Sequence, residues 1–168
     1  MHFKKIHIQN LDQFQSSVIE QLPKDAFVMT GVMTQWHTHL ITIPEIQNLI
    51  NELNYGNNII NLAIVTMPPQ SELPIHIDGG QCAAALNIPL LNYTGTYTNW
   101  YSSNQPLKEY AHHGQGTYFG AEKESCTKIA TVEMDSPCII DIRTLHSASN
   151  PLDTWRILLS LRLIEYQF

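Results

Sequence analysis

The pattern of apolar residues changes along the chain near residue 59. Before that point, apolar residues recur every three or four positions in two segments, the spacing of an amphipathic helix. The first segment begins after Asn10 and ends at Pro23, and the second begins after Pro44 and ends at Gly56. The pattern therefore predicts two helices in the first part of the chain.

From Ile59 onward, short runs of β-branched and aromatic residues alternate with turn residues, which is typical of strands. The predicted strands are Ile59–Met67, Ile75–Asp78, Cys82–Leu91, Thr96–Tyr101, Thr127–Glu133, Cys138–Ile142 and Trp155–Ile164. With Trp36–Ile43 as a further strand, the total is about eight, the number expected for a jelly roll. We predict a mainly β fold, a double-stranded β-helix or cupin-like barrel with the N-terminal helices packed on one sheet.

The last predicted strand has two faces of different chemistry. One face carries only apolar residues, at positions 157, 159, 161 and 163, and should pack against the core or the helices. The other face carries Arg156, Ser160 and Arg162. These three side chains should point either to solvent or into the lumen of the barrel.

Composition and charge narrow the class of protein. The chain has 168 residues, 43% hydrophobic and 14% charged, which fits one globular domain spanning 1–168. Its formal charge is −6 and no basic cluster is present, so no nucleic-acid partner is expected. No apolar run is long enough to cross a membrane, so we expect a cytoplasmic protein without a membrane partner. The odd number of cysteines, Cys82, Cys126 and Cys138, predicts reduced thiols.

A pair of metal-ligating side chains occurs in one of the short strands. His76 and Asp78 are two residues apart, so they lie on one face of an extended strand, and Gly79 and Gly80 then turn the chain. This short motif also arises by chance, and a metal site needs a third ligand. His146, which follows the strand Cys138–Ile142, is the candidate. Two imidazoles and one carboxylate on one face of a metal are diagnostic of non-haem iron(II) enzymes.

Two simpler interpretations of these histidines stay open. His76 and His146 can be ordinary polar residues at strand ends. The chain also contains the pairs His37 and His39, and His112 and His113, but neither pair has a matching carboxylate and arginine. We therefore give these other pairs less weight as metal sites.

Arg156 adds a second kind of ligand to the hypothesis. It lies ten residues after His146, on the polar face of the last strand with Ser160. A buried arginine is costly unless it meets an anion, and a guanidinium beside a hydroxyl suits a carboxylate. Alternatively, Arg156 pairs with an internal acid such as Asp141 or Glu133.

Taken together, these residues resemble the 2-oxoglutarate- and iron(II)-dependent dioxygenase superfamily. The resemblance covers about residues 59 to 164 and includes His76, Asp78, His146 and the arginine at 156. It is closest to small bacterial and phage members, and more distant to aspartyl/asparaginyl β-hydroxylases, as judged from the segments Leu86–Leu90, Tyr97–Tyr101 and Asp141–Ser147.

The resemblance implies roles for particular residues. His76, Asp78 and His146 would be the catalytic ligands of Fe(II), which also binds O2, and Arg156 would bind the distal carboxylate of the cosubstrate 2-oxoglutarate. The chain departs from the pattern at Leu158, where several branches carry a hydroxyl. Further contacts to the cosubstrate are therefore assigned on position alone, to Ser160, Asn87 and Tyr97, whereas Asn150 is expected to be an ordinary core or turn residue.

The predicted activity is hydroxylation of an unactivated C–H bond in a small molecule, an amino acid or a peptide side chain. One alternative is a cupin-like isomerase or epimerase that uses its metal without oxygen. Another is a jelly roll that binds a ligand without catalysis. The segment Asn104–Gly120 is interpreted as a long loop, either a lid over the site or a surface insertion.

Overall fold

The computed structural model describes residues 1–22, 33–35, 37–112 and 116–168, with backbone only for 33–35, 37–38, 111–112 and 116–117. Three α-helices are present: α1 Leu11–Gln21, α2 His37–Leu40 and α3 Pro44–Glu52. The strands are β1 Phe3–Lys5, β2 Met33–Gln35, β3 Ile59–Met67, β4 Ser71–Glu72, β5 His76–Ile77, β6 Ala84–Leu91, β7 Tyr97–Ser103, β8 Lys108–His112, β9 Gly116–Gly120, β10 Cys126–Glu133, β11 Cys138–Asp141, β12 His146–Asn150 and β13 Arg156–Leu163.

The strands form two antiparallel sheets. The six-stranded sheet has the order β1-β11-β6-β13-β3-β2. The seven-stranded sheet has the order β10-β7-β12-β5-β9-β8, and β4 pairs with β12. A buried cluster joins the inner faces, because Ala85 and Ile140 of the first sheet pack with Trp100 and Val132 of the second. The predicted mainly β jelly roll is thus confirmed.

The helices cover the outer face of the six-stranded sheet. In α1 the buried apolar residues are Phe14 and Val18, and in α3 they are Ile46, Leu49 and Ile50. These side chains share one core cluster with the apolar face of β13, which consists of Ile157, Leu159, Leu161 and Leu163. The apolar faces of the two helices and the apolar face of β13 therefore pack against each other at one interface, and the spacing of apolar residues predicts each of these faces.

Strand β13 lies in the middle of this sheet, between β3 and β6. Since its apolar face meets the helices, Arg156, Ser160 and Arg162 face the space between the two sheets. Arg156 is 3% exposed and Ser160 is 1% exposed, so solvent does not reach this end of the polar face. Of the two environments considered for these side chains, the lumen is the one observed.

Two predictions of local structure are wrong. Residues His37–Leu40, predicted as part of a strand, form α2, whereas Trp36 lies outside the described residues. The segment Asn104–Gly120 is not a long loop, because it contains β8 and β9, which pair as a hairpin. The hairpin is stabilised by pairing of β9 with β5, a contact between distant segments that local periodicity does not encode.

The described ranges contain thirteen strands, more than the eight predicted. Most of the additional strands are only two to five residues long, too short for a recognisable alternation. Cys82, Cys126 and Cys138 are free thiols. No helix in the described part of the chain is long and apolar enough to span a bilayer.

Candidate metal centre

Two paired strands bring the three predicted metal ligands together. His76 begins β5, His146 begins β12, and the two residues are register partners. Asp78 follows β5 directly, and its Oδ1 lies 3.2 Å from His76 Nε2 and 4.0 Å from His146 Nε2. The three ligand atoms lie within 4.8 Å of one another, and no other such group of potential ligands occurs among the described residues.

Backbone carbonyls fix the orientation of both imidazoles. His76 Nδ1 lies 2.7 Å from the carbonyl oxygen of Pro74, and His146 Nδ1 lies 2.9 Å from that of Thr144. Each Nδ1–H donates to a carbonyl two residues earlier, so each ring turns its Nε2 toward Asp78. Such second hydrogen bonds are what orient histidine ligands in metal sites.

Gly120 allows the strand that carries His76 to pair closely. Gly120 in β9 is the register partner of His76. A Cβ atom at this glycine would lie 2.4 Å from the carbonyl oxygen of Ile75, a distance that no side chain tolerates. Tyr118, also in β9, places its ring edge-on against His76, with 5.8 Å between ring centres. The glycine therefore sets the position of the first ligand.

Arg162 neutralises the carboxylate of the centre. Its Nη1 donates to Asp78 Oδ2, which leaves Oδ1 facing the two imidazoles. Burial pushes the pKa of Asp78 up, but the guanidinium and the nearby imidazoles outweigh it and hold the pKa well below its ordinary value. No motif in the sequence predicts that Arg162 pairs with Asp78. The sequence indicates only that Arg162 shares the polar face of β13 with Arg156.

The two imidazoles differ in their affinity for protons. Burial lowers the pKa of His146 from 6.5 to about 4, so this ring is neutral at physiological pH. Burial also acts to lower the pKa of His76, but the hydrogen bond to Asp78 and its charge prevail and raise it above the ordinary value. The site thus contains one neutral imidazole and one whose affinity for a proton is raised by the neighbouring carboxylate.

At the opposite end of the polar face, Arg156 is a buried cation for which the described part of the chain provides no anion. Nε and Nη1 of Arg156 are buried and have no hydrogen-bond partner, and neither does Ser160 Oγ. Burial lowers the pKa of Arg156 only to about 10, so the guanidinium stays charged. Asp141 accepts bonds from its own turn, and Glu133 accepts the N–H of Gly95. The alternative in which one of these acids pairs with Arg156 is therefore wrong.

No protein-family model matches the chain, and no curated protein matches it in sequence. Solved structures do. EvdMO1 aligns with a TM-score of 0.58 at 13% identity, over 99% of this chain and 48% of that one. The 2-oxoglutarate complex of viral collagen prolyl hydroxylase vCPH from Paramecium Bursaria Chlorella virus-1 aligns with a TM-score of 0.54 at 17% identity, over 96% of this chain and 95% of that one. The chain therefore shares the fold of these structures.

A third structure with this fold is SnoK, a non-haem α-ketoglutarate-dependent carbocyclase from nogalamycin biosynthesis. It aligns with a TM-score of 0.53 at 11% identity, over 94% of this chain and 76% of that one. The chain spans about half the length of EvdMO1 and nearly all of vCPH. At these identities the likeness establishes the fold, and residue roles are argued from the geometry of this chain.

The other predicted cosubstrate residues lie on different faces of their strands. Asn87 in β6 is the register partner of Ser160, so both lie on the lumen side. Tyr97 lies three residues before Trp100, the register partner of His146, and so faces away from the lumen. The register thus groups Asn87 with Ser160 and separates Tyr97 from them.

The remaining polar candidates lie apart from the centre. The amide nitrogen of Asn150 contacts the carbonyl oxygens of Met67, Pro68 and Thr154, so it ties β12 to the ends of two neighbouring segments. His39 contacts the carbonyl oxygen of Gln21, 3.0 Å away. The side chains of His37, His112 and His113 lie outside the described residues.

Proposed function

We propose that this chain is a single-domain Fe(II)- and 2-oxoglutarate-dependent oxygenase that hydroxylates an unactivated C–H bond of a small molecule or an amino-acid side chain. The main support is the buried guanidinium of Arg156, for which no anion occurs among the described side chains and which shares the lumen face of β13 with Arg162, the residue bonded to Asp78. Burial of a cation without an anion is costly, so an anionic ligand that reaches Arg156 would stabilise the protein.

The donor set fits iron. His76, Asp78 and His146 would hold the metal through two imidazole nitrogens and one carboxylate oxygen, all oriented before the metal arrives. Three such ligands leave coordination positions for a cosubstrate and oxygen, whereas structural zinc sites are closed by four ligands. Bound iron(II) would activate oxygen, the oxidant, with 2-oxoglutarate as the electron donor, which is chemistry that no side chain of this chain provides.

The cosubstrate pocket is built from β13 and its neighbour β6. Arg156 would bind one carboxylate of 2-oxoglutarate through its unpaired Nε and Nη1, with the Ser160 hydroxyl as a further donor. Asn87 lies beside Ser160 on the same face and adds an amide to this wall. These groups would fix one end of the dicarboxylate and leave its other end for the metal.

Apolar residues keep water from the space between the two sheets. The side chain of Trp100 is fully buried, packs with Ile142 and Ala85, and donates its Nε1–H to the carbonyl oxygen of Asp141. A dry lumen strengthens the electrostatic contacts of Asp78 and Arg156 and limits side reactions. The small-molecule or amino-acid substrate would enter from the side where Asp78 and its loop lie.

The first test is formation of succinate by purified protein given iron(II), 2-oxoglutarate and oxygen. Slow uncoupled turnover is expected without the substrate, together with a visible absorption band when 2-oxoglutarate is added anaerobically. His146→Ala should abolish both signals because it removes a ligand. Lys128→Gln, which removes a charge from an exposed position on β10, is the matched control and should retain both.

Two other functions predict different outcomes of this experiment. An isomerase or epimerase of the same fold would bind metal but consume no oxygen. A jelly roll that only binds ligands would give neither succinate nor an absorption band, and substitution of His76 or Asp78 would change stability alone. Absence of both signals from metal-loaded wild-type protein would refute the proposed oxygenase.

A further inference from the structure

The turn between β11 and β12 presents a third guanidinium beside the metal centre, that of Arg143. Asp141 builds this turn: its Oδ1 accepts the backbone N–H of Arg143 at 2.9 Å and of Thr144 at 3.2 Å. Its Oδ2 accepts the Thr144 hydroxyl at 2.5 Å. Because the carbonyl oxygen of Thr144 also accepts His146 Nδ1–H, the turn that holds Arg143 also orients a metal ligand.

The Arg143 side chain is exposed but anchored. Its Nε donates to the carbonyl oxygen of Cys82 at 3.1 Å, so the guanidinium is held at its inner edge as well as through its backbone. The outer edge, with two terminal nitrogens, is the edge that binds a carboxylate in two-pronged fashion. No carboxylate within the described ranges forms an ion pair with Arg143, and Asp141 is used by the turn.

Two observations locate Arg143 next to the metal ligands. The N–H of Asp78 donates to the carbonyl oxygen of Ile142, the residue before Arg143, at 3.0 Å. Nearby charges also act on the thiol of Cys82. Burial raises the pKa of this thiol, and among the charged side chains near it Arg162 and Arg143 lower the pKa whereas Asp78 raises it. Both arginines and the carboxylate ligand therefore lie around one side chain, with Arg143 on the solvent side.

The three guanidinium groups of the site differ in what balances their charge. Arg162 is paired with Asp78, and Arg156 is assigned to the cosubstrate in the proposed function. Arg143 alone among these three has an accessible edge and no assigned anion. We propose that Arg143 anchors a carboxylate of the substrate, so that the substrate is a small carboxylic acid, such as a free amino acid. This inference rests on the proposed function and adds the substrate class.

The anchoring also explains why an arginine serves better here than a lysine would. An exposed arginine normally loses side-chain entropy when it binds an anion. At Arg143, the bond from Nε to the Cys82 carbonyl restricts the side chain before any ligand arrives. A lysine at this position has no second edge, so it cannot hold the carbonyl and a two-pronged carboxylate together.

The test measures binding and not turnover. Protein loaded with Zn(II), which is redox-inert, and with 2-oxoglutarate is titrated by ligand-observed NMR with a panel of free L-amino acids and their carboxamides. We expect at least one acid to bind roughly tenfold or more tightly than its amide, since the amide lacks the charge. Arg143→Gln should remove this preference, Arg143→Lys should restore part of it, and Lys128→Gln should leave it unchanged.

Each other result counts against the proposal. Equal binding of acids and amides, an acid preference that survives Arg143→Gln, or a panel in which no acid binds would overturn the assignment of Arg143. Calorimetric titration of 2-oxoglutarate separates this failure from that of the proposed function. If wild-type protein does not load 2-oxoglutarate, the oxygenase proposal fails and the substrate class fails with it. If it loads 2-oxoglutarate but binds no acid, only the substrate class is wrong.

Discussion

Arg156 and Arg162 lie on the same face of the same strand, yet their surroundings differ. Arg162 has its anion within the chain, the carboxylate of Asp78. Arg156 is 3% exposed, and its buried nitrogens have no partner among the described residues. Folding therefore pairs the charge of Arg162, whereas the charge of Arg156 stays unpaired within the described part of the chain. The difference separates a residue that stabilises the native state from one that we assign to a ligand.

The buried, unpaired charge of Arg156 has an energetic cost in the ligand-free protein. Burial of an ion without a partner costs several kcal/mol even after relaxation, by order of magnitude. The extensive apolar interface between β13 and the helices offsets such a cost, because each buried Leu or Ile contributes about 1.5–3 kcal/mol. The two arginines should therefore respond in opposite ways to the same substitution.

The largest expected effect follows from Arg156→Met, which keeps the length of the side chain and removes its charge. We expect 2-oxoglutarate affinity of the metal-loaded protein to fall by about 100-fold or more, because charge-assisted bonds to the carboxylate are lost. The free energy of unfolding of the ligand-free protein should stay constant or rise by about 1 kcal/mol. Calorimetric titration and urea unfolding measure the two quantities.

The opposite result for Arg156→Met would remove the contrast between the arginines. A loss of several kcal/mol of stability with unchanged cosubstrate affinity would make Arg156 a structural residue, by order of magnitude comparable to a broken buried pair. Arg156→Lys is a useful companion, since it keeps the charge but lacks the planar fork, and should give an intermediate affinity.

Arg162→Met should mainly change stability. Removing the guanidinium leaves the Asp78 carboxylate without its strongest partner, and we expect the metal-free protein to lose about 2–3 kcal/mol, less than for a fully buried pair because Asp78 is 21% exposed. A divalent metal should restore part of the loss by supplying positive charge. Urea unfolding with and without Mn(II) measures this. In the double variant with Asp78→Asn, the two losses should not add.

A smaller effect concerns pH and the metal-free protein. The pKa of His146 is lowered from 6.5 to about 4, so between these values the unfolded chain binds a proton that the folded chain does not. Stability is therefore lost as pH falls through this window, by about 1–2 kcal/mol between pH 6.5 and about 5. The raised pKa of His76 acts in the other direction, with stability present below 6.5 and lost as pH rises through the folded-state value.

The two histidines should thus act in opposite directions on the stability of the metal-free protein, with His146 responsible for the loss in acid. Urea unfolding of wild type and His146→Gln over this range isolates the contribution, because other titrating groups are common to both proteins. If His146→Gln loses as much stability in acid as wild type does, the loss of stability at low pH does not come from His146.

Much of the fold follows from short-range patterns in the sequence. The period of two in Trp155–Ile164 predicted which residues of β13 form its apolar face and which its polar face, because alternation alone assigns each side chain to a face, and it left open which surroundings each face meets. The first helix begins after Asn10 as predicted, and the second begins at Pro44, one residue earlier than predicted; both start signals are local. His76, Asp78 and His146 lie together as the motif spacing required.

What the sequence alone does not provide is register between distant strands. Arg162 and Asp78 are 84 positions apart, and their contact depends on how β13, β6 and the loop after β5 align. The face on which Tyr97 lies follows only from the pairing of Trp100 with His146, which decides which residues of β7 point into the lumen. The hairpin β8–β9 likewise depends on its pairing with β5, which no local period specifies.

The oxygens that orient the two histidine ligands both belong to the main chain, two residues upstream of each ring. No substitution at Pro74 or Thr144 deletes them, so the tautomer of each ligand is insensitive to side-chain mutation. Genetic drift at these positions can change stability or packing without changing which nitrogen faces the centre. For protein design, each three-residue unit is portable: a histidine transplanted with its extended backbone takes its own orienting acceptor with it.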